Sequence, residues 1–218
     1  MIPRVIAFDL GGVLVKVDKS PLFERWGDRA YDAFFGPRHR ALATGRLSAS
    51  DYIEAAAAVL DCTPDVARRA WCDVVHWASG GFDLWVDVAD TASVRFWSNV
   101  DPLHWAILGL GAFDEPEHHL AELFCPAAML PGGVAVPDDR VAIEAAVSFR
   151  LGLLKPDPAF FALALRGLDP QGVLYLDDDD DNVAAAASFG VDAVVCRGVE
   201  AARTILIERG ALPSDRHE

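Results

Sequence analysis

The chain is organised around short, apolar, β-rich runs, most of which end in polar or glycine-containing loops followed by helical patterns. These runs are Val5–Phe8, Ser93–Trp97, Ala145–Phe149, Val173–Leu176 and Ala193–Cys196. Continuous apolar runs that alternate with helices are typical of parallel strands covered by helices on both faces. The pattern therefore predicts an α/β fold with a doubly wound, Rossmann-like parallel sheet.

Between the first and second runs the pattern becomes helical. From about residue 20 to residue 79 no strand-like run is found. Ser48 resembles the first residue of a capping box, and Thr63, which is followed by a proline, resembles the N-cap of a second helix. We therefore expect an inserted α-helical cap. Its predicted bounds are residues 18–87, and residues 1–17 and 88–218 form the predicted α/β core.

A second interruption of the pattern lies at residues 111–140, with a short helical piece and a loop rich in proline and glycine. His118 or His119 with Glu122 could bind a metal, but the segment has no HExxH pattern and no further ligand nearby. A surface helix with exposed histidines is the favoured interpretation. The role of this insert stays open.

Composition limits the partners and the compartment. The net charge of −14 over 218 residues disfavours nucleic acid and membrane surfaces, because both are polyanionic. No run approaches the roughly 18 apolar residues of a membrane span, and the first residues lack the basic, apolar and cleavage-site pattern of a signal peptide. The four cysteines are widely separated, which suits reduced thiols. We expect a cytoplasmic protein, whose oligomeric state the sequence does not indicate.

Polar residues follow the apolar runs where their strands should end. They are Asp9, Ser98 with Asn99, Lys155, and the aspartates of residues 177–181. Ligands of doubly wound sheets bind beyond the carboxyl ends of the strands. Adjacent carboxylates at ~4 Å repel by ~4 kcal/mol at an effective dielectric of ~20, so a folded acidic loop that faces Asp9 favours a bound cation. Oxygen ligands indicate Mg²⁺, although an exposed acidic loop is the alternative.

Four motifs in this order resemble those of haloacid dehalogenase (HAD) superfamily hydrolases, in the phosphatase-like branch with a helical cap (subfamily I). They are FDLGGVLV (Phe8–Val15), WSN (Trp97–Asn99), GLLKPDPAFF (Gly152–Phe161) and YLDDDDDNVAAA (Tyr175–Ala186). The resemblance covers nearly the whole chain. It implies Mg²⁺-dependent hydrolysis of a small phosphate monoester, such as a sugar phosphate or a similar phosphometabolite.

The resemblance also implies roles for individual residues. Asp9 would be the nucleophile that forms an aspartyl-phosphate. Asp9, the backbone carbonyl of Gly11 and Asp178 would bind Mg²⁺, with Asp177 joining directly or through water. Lys155 would neutralise negative charge between the nucleophile and the phosphate.

Substrate contacts follow from the same resemblance. Ser98 and the backbone N–H of Asn99 would hold phosphate oxygens. Gly11 and Gly12 would let the backbone approach the phosphoryl group closely.

One position departs from the family pattern, because Gly11 stands where most phosphatases of this family carry an acid/base aspartate. Proton transfer typically contributes ~10²–10⁴ in rate. Asp18, Asp51 and Glu54 are candidate replacement donors.

A catalytically weak or non-catalytic accessory protein is the alternative function, and a 2-haloacid dehalogenase is a further one. The paired aspartates Asp177 and Asp178 argue against the dehalogenase.

Overall fold

A computed structural model describes residues 2–110 and 144–214. The strands are β1 (Val5–Phe8), β2 (Val15–Val17), β3 (Val75–Trp77), β4 (Ser93–Ser98), β5 (Glu144–Val147), β6 (Val173–Asp177) and β7 (Asp192–Val195). The helices are α1 (Ser20–Trp26), α2 (Asp28–Phe34), α3 (Pro37–Ala43), α4 (Ala49–Leu60), α5 (Pro64–Cys72), α6 (Gly81–Ala89), α7 (Pro102–Ile107), α8 (Ser148–Leu151), α9 (Pro158–Ala164), α10 (Asp180–Ala187) and α11 (Val199–Glu208).

Five parallel strands form the central sheet, in the order β5-β4-β1-β6-β7. The predicted fold class is therefore confirmed. Phe8 pairs in register with Phe96 of β4 and with Leu176 of β6. Because these three parallel strands end within two residues of this level, the polar residues at their ends meet at one edge of the sheet.

Strand β5 is shorter than the sequence predicted. The chain turns into α8 at Ser148, whose hydroxyl accepts from the Val100 N–H (3.1 Å) and donates to the Val100 carbonyl (3.0 Å). These bonds tie the end of β5 to the loop after β4. Phe149, predicted as a strand residue, packs against the sheet's hydrophobic cluster from α8 instead.

Helices α1–α5 pack around a hydrophobic cluster that also includes Leu103 of α7. Ser48 caps α4 by accepting from the Asp51 N–H, and Thr63 caps α5 by accepting from the Val66 N–H. Trp71 stacks on Phe34 with ring centroids 5.1 Å apart. We call α1–α5 with their connecting loops the helical insert.

The prediction of no strand between residues 20 and 79 was wrong for β3. This strand pairs antiparallel with β2, with Val15 opposite Trp77. Three residues are too few to show a strand period, and the partner lies some sixty positions earlier in the chain. The predicted boundary between residues 87 and 88 falls inside α6, whose Leu84 and Trp85 pack in the sheet's cluster.

Two further observations concern the extent of the described chain. His118, His119, Glu122 and most of the predicted insert at 111–140 lie outside the described residues. Within residues 2–110 and 144–214, no helix combines the length and the apolar character that crossing a membrane demands.

Candidate active site

The carboxyl edge of the sheet brings together Asp9 after β1, Ser98 at the end of β4 and Asp177 at the end of β6. Lys155 joins them from the loop that precedes α9. Its ammonium Nζ lies 3.1 Å from Asp9 Oδ1 and 2.6 Å from Asp177 Oδ2. A single buried cation thus contacts two carboxylates from neighbouring strands.

The Asp9 carboxylate is buried but still reaches the edge of the site, with 8% of the residue exposed. Its Oδ1 accepts from the Leu10 N–H at 2.7 Å. Burial raises the pKa of Asp9, and repulsion from Asp177 adds to this, against the opposing effects of Lys155 and a hydrogen bond from Ser98. A cation bound beside Asp9 would favour its ionised, nucleophilic form.

Asp177 is fully buried and has many hydrogen-bond partners. Lys155 Nζ and the Tyr175 hydroxyl donate to Oδ2, the Asp179 N–H donates to Oδ1 at 2.9 Å, and Asn182 Nδ2 lies within 3.2 Å of both oxygens. Burial raises the pKa of Asp177, but Lys155 and these hydrogen bonds outweigh burial and lower it. This carboxylate fixes the position of Lys155, and its engaged oxygens suit a water-mediated contact to a metal better than a direct one.

Three carboxylates form a group with the chemistry of a Mg²⁺ site. One oxygen from each of Asp9, Asp177 and Asp178 lies within 4.8 Å of the others. Burial and repulsion from Asp177 raise the pKa of Asp178. An oxygen-only donor set with mutually repelling charges fits a hard divalent cation. The described residues therefore fit the predicted metal.

Gly12 makes room for the Asp178 carboxylate. A Cβ at this position would lie 2.2 Å from Asp178 Oδ2, and the backbone φ of +74° favours glycine independently. Gly11 differs, because a Cβ there would meet Val17 Cγ2 at 3.5 Å, an ordinary contact, and its φ is not positive. The placement of Asp178 and the positive φ thus favour glycine at position 12, whereas position 11 permits a side chain.

Asn99 has a contact that the sequence did not indicate. Its Oδ1 accepts from the Lys155 N–H at 2.8 Å, and its Nδ2 donates to the Lys155 carbonyl at 3.0 Å. The side chain therefore holds the loop that presents Lys155. Sequence reasoning also missed Tyr175, although its position two residues before Asp177 places both side chains on one face of β6.

The five aspartates of residues 177–181 do not act alike. Asp179 is the N-cap of α10 and accepts from the N–H groups of Asp181 (2.8 Å) and Asn182 (3.2 Å). Asp180 is exposed and pairs with Arg197 at 3.0 Å. Asp177 and Asp178 are therefore the two aspartates of this run that belong to the carboxylate group.

A cavity of about 220 Å³ extends from the sheet edge to the helical insert. Gly11, Ser98 and Asn99 line its sheet side. Of the candidate proton donors, Asp51 and Glu54 are exposed, and Asp18 is solvated, with hydrogen bonds from Ser20 that lower its pKa. The structure therefore gives no support to a donor role for these three acids.

The five-stranded parallel sheet with a helical insertion after its first strand is shared with solved structures of HAD family enzymes. The resemblance found in the sequence is thus confirmed at the level of the fold. No family model matches the chain, and no curated protein matches it by sequence.

Solved structures share this fold over most of the chain. A HAD family enzyme from Bacteroides thetaiotaomicron in a magnesium complex is 18% identical with a TM-score of 0.71, covering 90% of this chain and 94% of that one. The same enzyme with magnesium and inorganic phosphate gives 16% identity and a TM-score of 0.65, covering 89% and 94%.

Two other neighbours show the range of proteins with this fold. A HAD-like hydrolase from Porphyromonas gingivalis, itself assigned by prediction, is 21% identical with a TM-score of 0.70, covering 94% of this chain and 98% of that one. An L-2-haloacid dehalogenase is 16% identical with a TM-score of 0.51, covering 87% and 82%.

Proposed function

We propose that this protein is a cytoplasmic Mg²⁺-dependent phosphatase that hydrolyses a small phosphate monoester through an aspartyl-phosphate at Asp9. The observation that carries the proposal is the contact of Lys155 Nζ with Asp9 (3.1 Å), within a group of three carboxylates. A carboxylate that attacks a phosphate ester faces like-charge repulsion, which a lysine and a divalent cation offset.

Each side chain has a part in this reaction. Asp9 attacks phosphorus and displaces the alcohol, and water then hydrolyses the aspartyl-phosphate. Ser98 and the Asn99 N–H hold phosphate oxygens, while Lys155 offsets charge between the nucleophile and the phosphoryl group. Residues that would hold Mg²⁺ are Asp9, Asp178, the Gly11 carbonyl and, through water, Asp177. Bound Mg²⁺ supplies Lewis-acid stabilisation of the phosphoryl charge.

Two observations favour phosphate over a haloacid. The carboxylate pair of Asp177 and Asp178 builds a cation site, which the metal-independent displacement of halide does not need. A neighbour with the same fold binds magnesium and inorganic phosphate. The extensive support of Lys155 by Asn99, Tyr175 and Asp177 also favours a working site over an accessory role.

The experiment that tests the proposal is a turnover assay on phosphate monoesters and on 2-chloropropionate, each with Mg²⁺ and with a chelator. We expect phosphate release that depends on Mg²⁺ and no chloride release. Metal-independent chloride release would make the protein a dehalogenase instead. No turnover of any ester, including one with an activated aryl leaving group, would contradict the proposal.

A further inference from the structure

The wall of the cavity opposite the phosphate-binding residues is mostly apolar. Val15 and Val17 of β2, Val74 and Val75 beside the insert, and Leu108 after α7 all line it. The aromatic rings of Phe35 and Trp71 complete this wall. The leaving alcohol of a bound ester would lie against these groups.

Two charged side chains on this wall already have full sets of partners. Asp101 Oδ1 accepts from the N–H groups of Leu103 (2.9 Å) and His104 (3.1 Å), and its Oδ2 accepts from Trp71 Nε1 (3.3 Å) and lies 2.7 Å from His104 Nδ1. The other ring nitrogen of His104, Nε2, lies 2.8 Å from the Trp71 carbonyl. Asp101 and His104 therefore have little hydrogen-bonding capacity left for a ligand.

The other polar groups of the wall offer few contacts to a polyhydroxylated substrate. The Asn99 amide is held by the Lys155 backbone. Burial lowers the pKa of His39, so this ring is uncharged near neutral pH and offers one donor and one acceptor. The Lys19 ammonium lies 5.3 Å from the centre of the Phe35 ring. Lys19 and His39 are therefore the side chains of this wall that keep hydrogen-bonding capacity, and they are fewer than the hydroxyls of a sugar.

We propose that the preferred substrate is a phosphate ester of an apolar, ring-bearing alcohol rather than a sugar phosphate. This inference rests on the proposed function, because the phosphate is placed by that site. The cavity, of about 220 Å³, is lined by this apolar wall and by two aromatic rings, against which a ring of the ligand can pack. Phe35 is the specificity-determining residue of the apolar wall.

Binding of non-hydrolysable phosphonates to the full chain tests this inference separately from catalysis. Calorimetry in Mg²⁺ compares benzylphosphonate with the phosphonate analogue of glucose 6-phosphate. We expect benzylphosphonate to bind at least about 100-fold more tightly, because unpaired hydroxyls are rejected by an apolar wall. Equal affinities, or tighter binding of the sugar analogue, would overturn the inference whether or not the protein is a phosphatase.

Variants of Phe35 test whether a preference for benzylphosphonate comes from the apolar wall of the cavity. Phe35→Leu and Phe35→Ala should weaken benzylphosphonate binding about 3-fold and about 10-fold, and Phe35→Leu keeps part of the packing if Phe35→Ala does not fold. Tyr31→Ala is the matched control, since this exposed ring stacks on Phe35 (5.9 Å) but does not line the cavity. Equal losses in Phe35→Leu and Tyr31→Ala would contradict a direct contact between Phe35 and the ligand.

Turnover then separates the two proposals. Benzyl phosphate and glucose 6-phosphate both release primary alkoxides, so kcat/KM compares their binding rather than their leaving groups. Hydrolysis of the sugar ester at an equal or higher kcat/KM would overturn the substrate inference but support the proposed phosphatase activity. Tight benzylphosphonate binding without hydrolysis of any ester would contradict the proposed phosphatase activity but support the apolar binding site.

Discussion

The two glycines that follow Asp9 differ in what a side chain would meet. At Gly12 a Cβ would fall 2.2 Å from Asp178 Oδ2, whereas at Gly11 it would meet Val17 at 3.5 Å. We predict that Gly12→Ala abolishes the rise in Tm that Mg²⁺ causes in the wild type, because Asp178 is displaced and binding to the folded state alone stabilises it. Gly11→Ala should keep that rise. Thermal melts with and without Mg²⁺ measure both, and equal behaviour of the two variants would contradict the placement of Asp178.

The space at Gly11 leads to a second prediction. Gly11→Asp should fold, since neither sterics nor φ forbids a side chain there, and should supply the acid that the site lacks. We expect larger rate gains on alkyl phosphates, within the ~10²–10⁴ range of general acid catalysis, than on aryl phosphates, whose leaving groups need little protonation. A leaving-group series on the wild type and the variant measures this. A flat series in the wild type would show that another group already donates the proton.

The positions of the candidate catalytic residues were predictable from the sequence, but their supporting contacts were not. Asp9, Ser98 and Asp177 follow apolar runs, and parallel strands bring such positions to one edge. The hydrogen bonds of the Asn99 side chain to the Lys155 backbone depend on the path of the loop before α9, 56 residues further along the chain. No local pattern contains that information.

At the level of elements, the acidic loop between β6 and α10 combines a metal site with a helix cap. We predict that Asp178→Ala abolishes the effect of Mg²⁺ on Tm, whereas Asp180→Ala keeps it, because Asp180 is an exposed partner of Arg197. Asp179→Ala should keep the Mg²⁺ effect but lower stability by about 1 kcal/mol through loss of the α10 cap. If Mg²⁺ changed the Tm of Asp178→Ala and Asp180→Ala equally, the loop would be a diffuse acidic patch rather than a metal site.

Helix α7 is joined to α5 of the helical insert by the Asp101–His104 pair and Trp71. Burial opposes the charge on His104, but Asp101 and the Trp71 carbonyl outweigh burial and raise its pKa above 6.5. A raised folded-state pKa contributes stability that is complete below the unfolded value of about 6.5 and is lost as pH rises through the folded value. Burial lowers the pKa of His39, so its contribution to stability changes with pH in the opposite direction. His39 is present both in the wild type and in the variant of the next prediction.

We therefore predict that His104→Gln lowers Tm most at mildly acidic pH. The difference in Tm between the wild type and the variant should shrink as pH rises toward 9, because the wild type then loses the ion pair. Melting curves from pH 5.5 to 9 measure this. Asp101 stays ionised over this range, because burial, which raises the pKa of Asp101, is outweighed by the contacts with His104, which lower it. A difference that stays constant with pH would mean that His104 is neutral in the folded protein.

Element boundaries show where sequence patterns stop being informative. The caps at Ser48 and Thr63 were recognisable because capping is local chemistry within four residues. Strand β3 was missed because it exists through pairing with β2, on the far side of the helical insert. The assignment of α6 to the sheet likewise depends on packing of Leu84 and Trp85 rather than on periodicity.

At the scale of the whole molecule, the edge of the sheet supplies the reacting groups, and Phe35, His39 and Trp71 of the helical insert form part of the wall of the adjoining cavity. The continuous apolar runs predicted the parallel sheet because they are buried on both faces. The character of the cavity was not predictable, since the apolar wall gathers Val17, Phe35 and Leu108 from distant parts of the chain. That insert is a candidate cap, and its role in substrate selection stays a prediction.

Trapping the covalent intermediate tests the proposed mechanism most directly. Without an acid/base residue at Gly11, water is poorly activated, so the aspartyl-phosphate should accumulate when an aryl phosphate with a good leaving group is used. Samples quenched in acid during turnover with Mg²⁺ are digested and mapped by mass spectrometry. We predict a phosphoryl group on Asp9 in the wild type, and neither this group nor turnover in a folded Asp9→Asn variant. Turnover that persists in folded Asp9→Asn, with no phosphoryl group on Asp9 in the wild type, would contradict the mechanism.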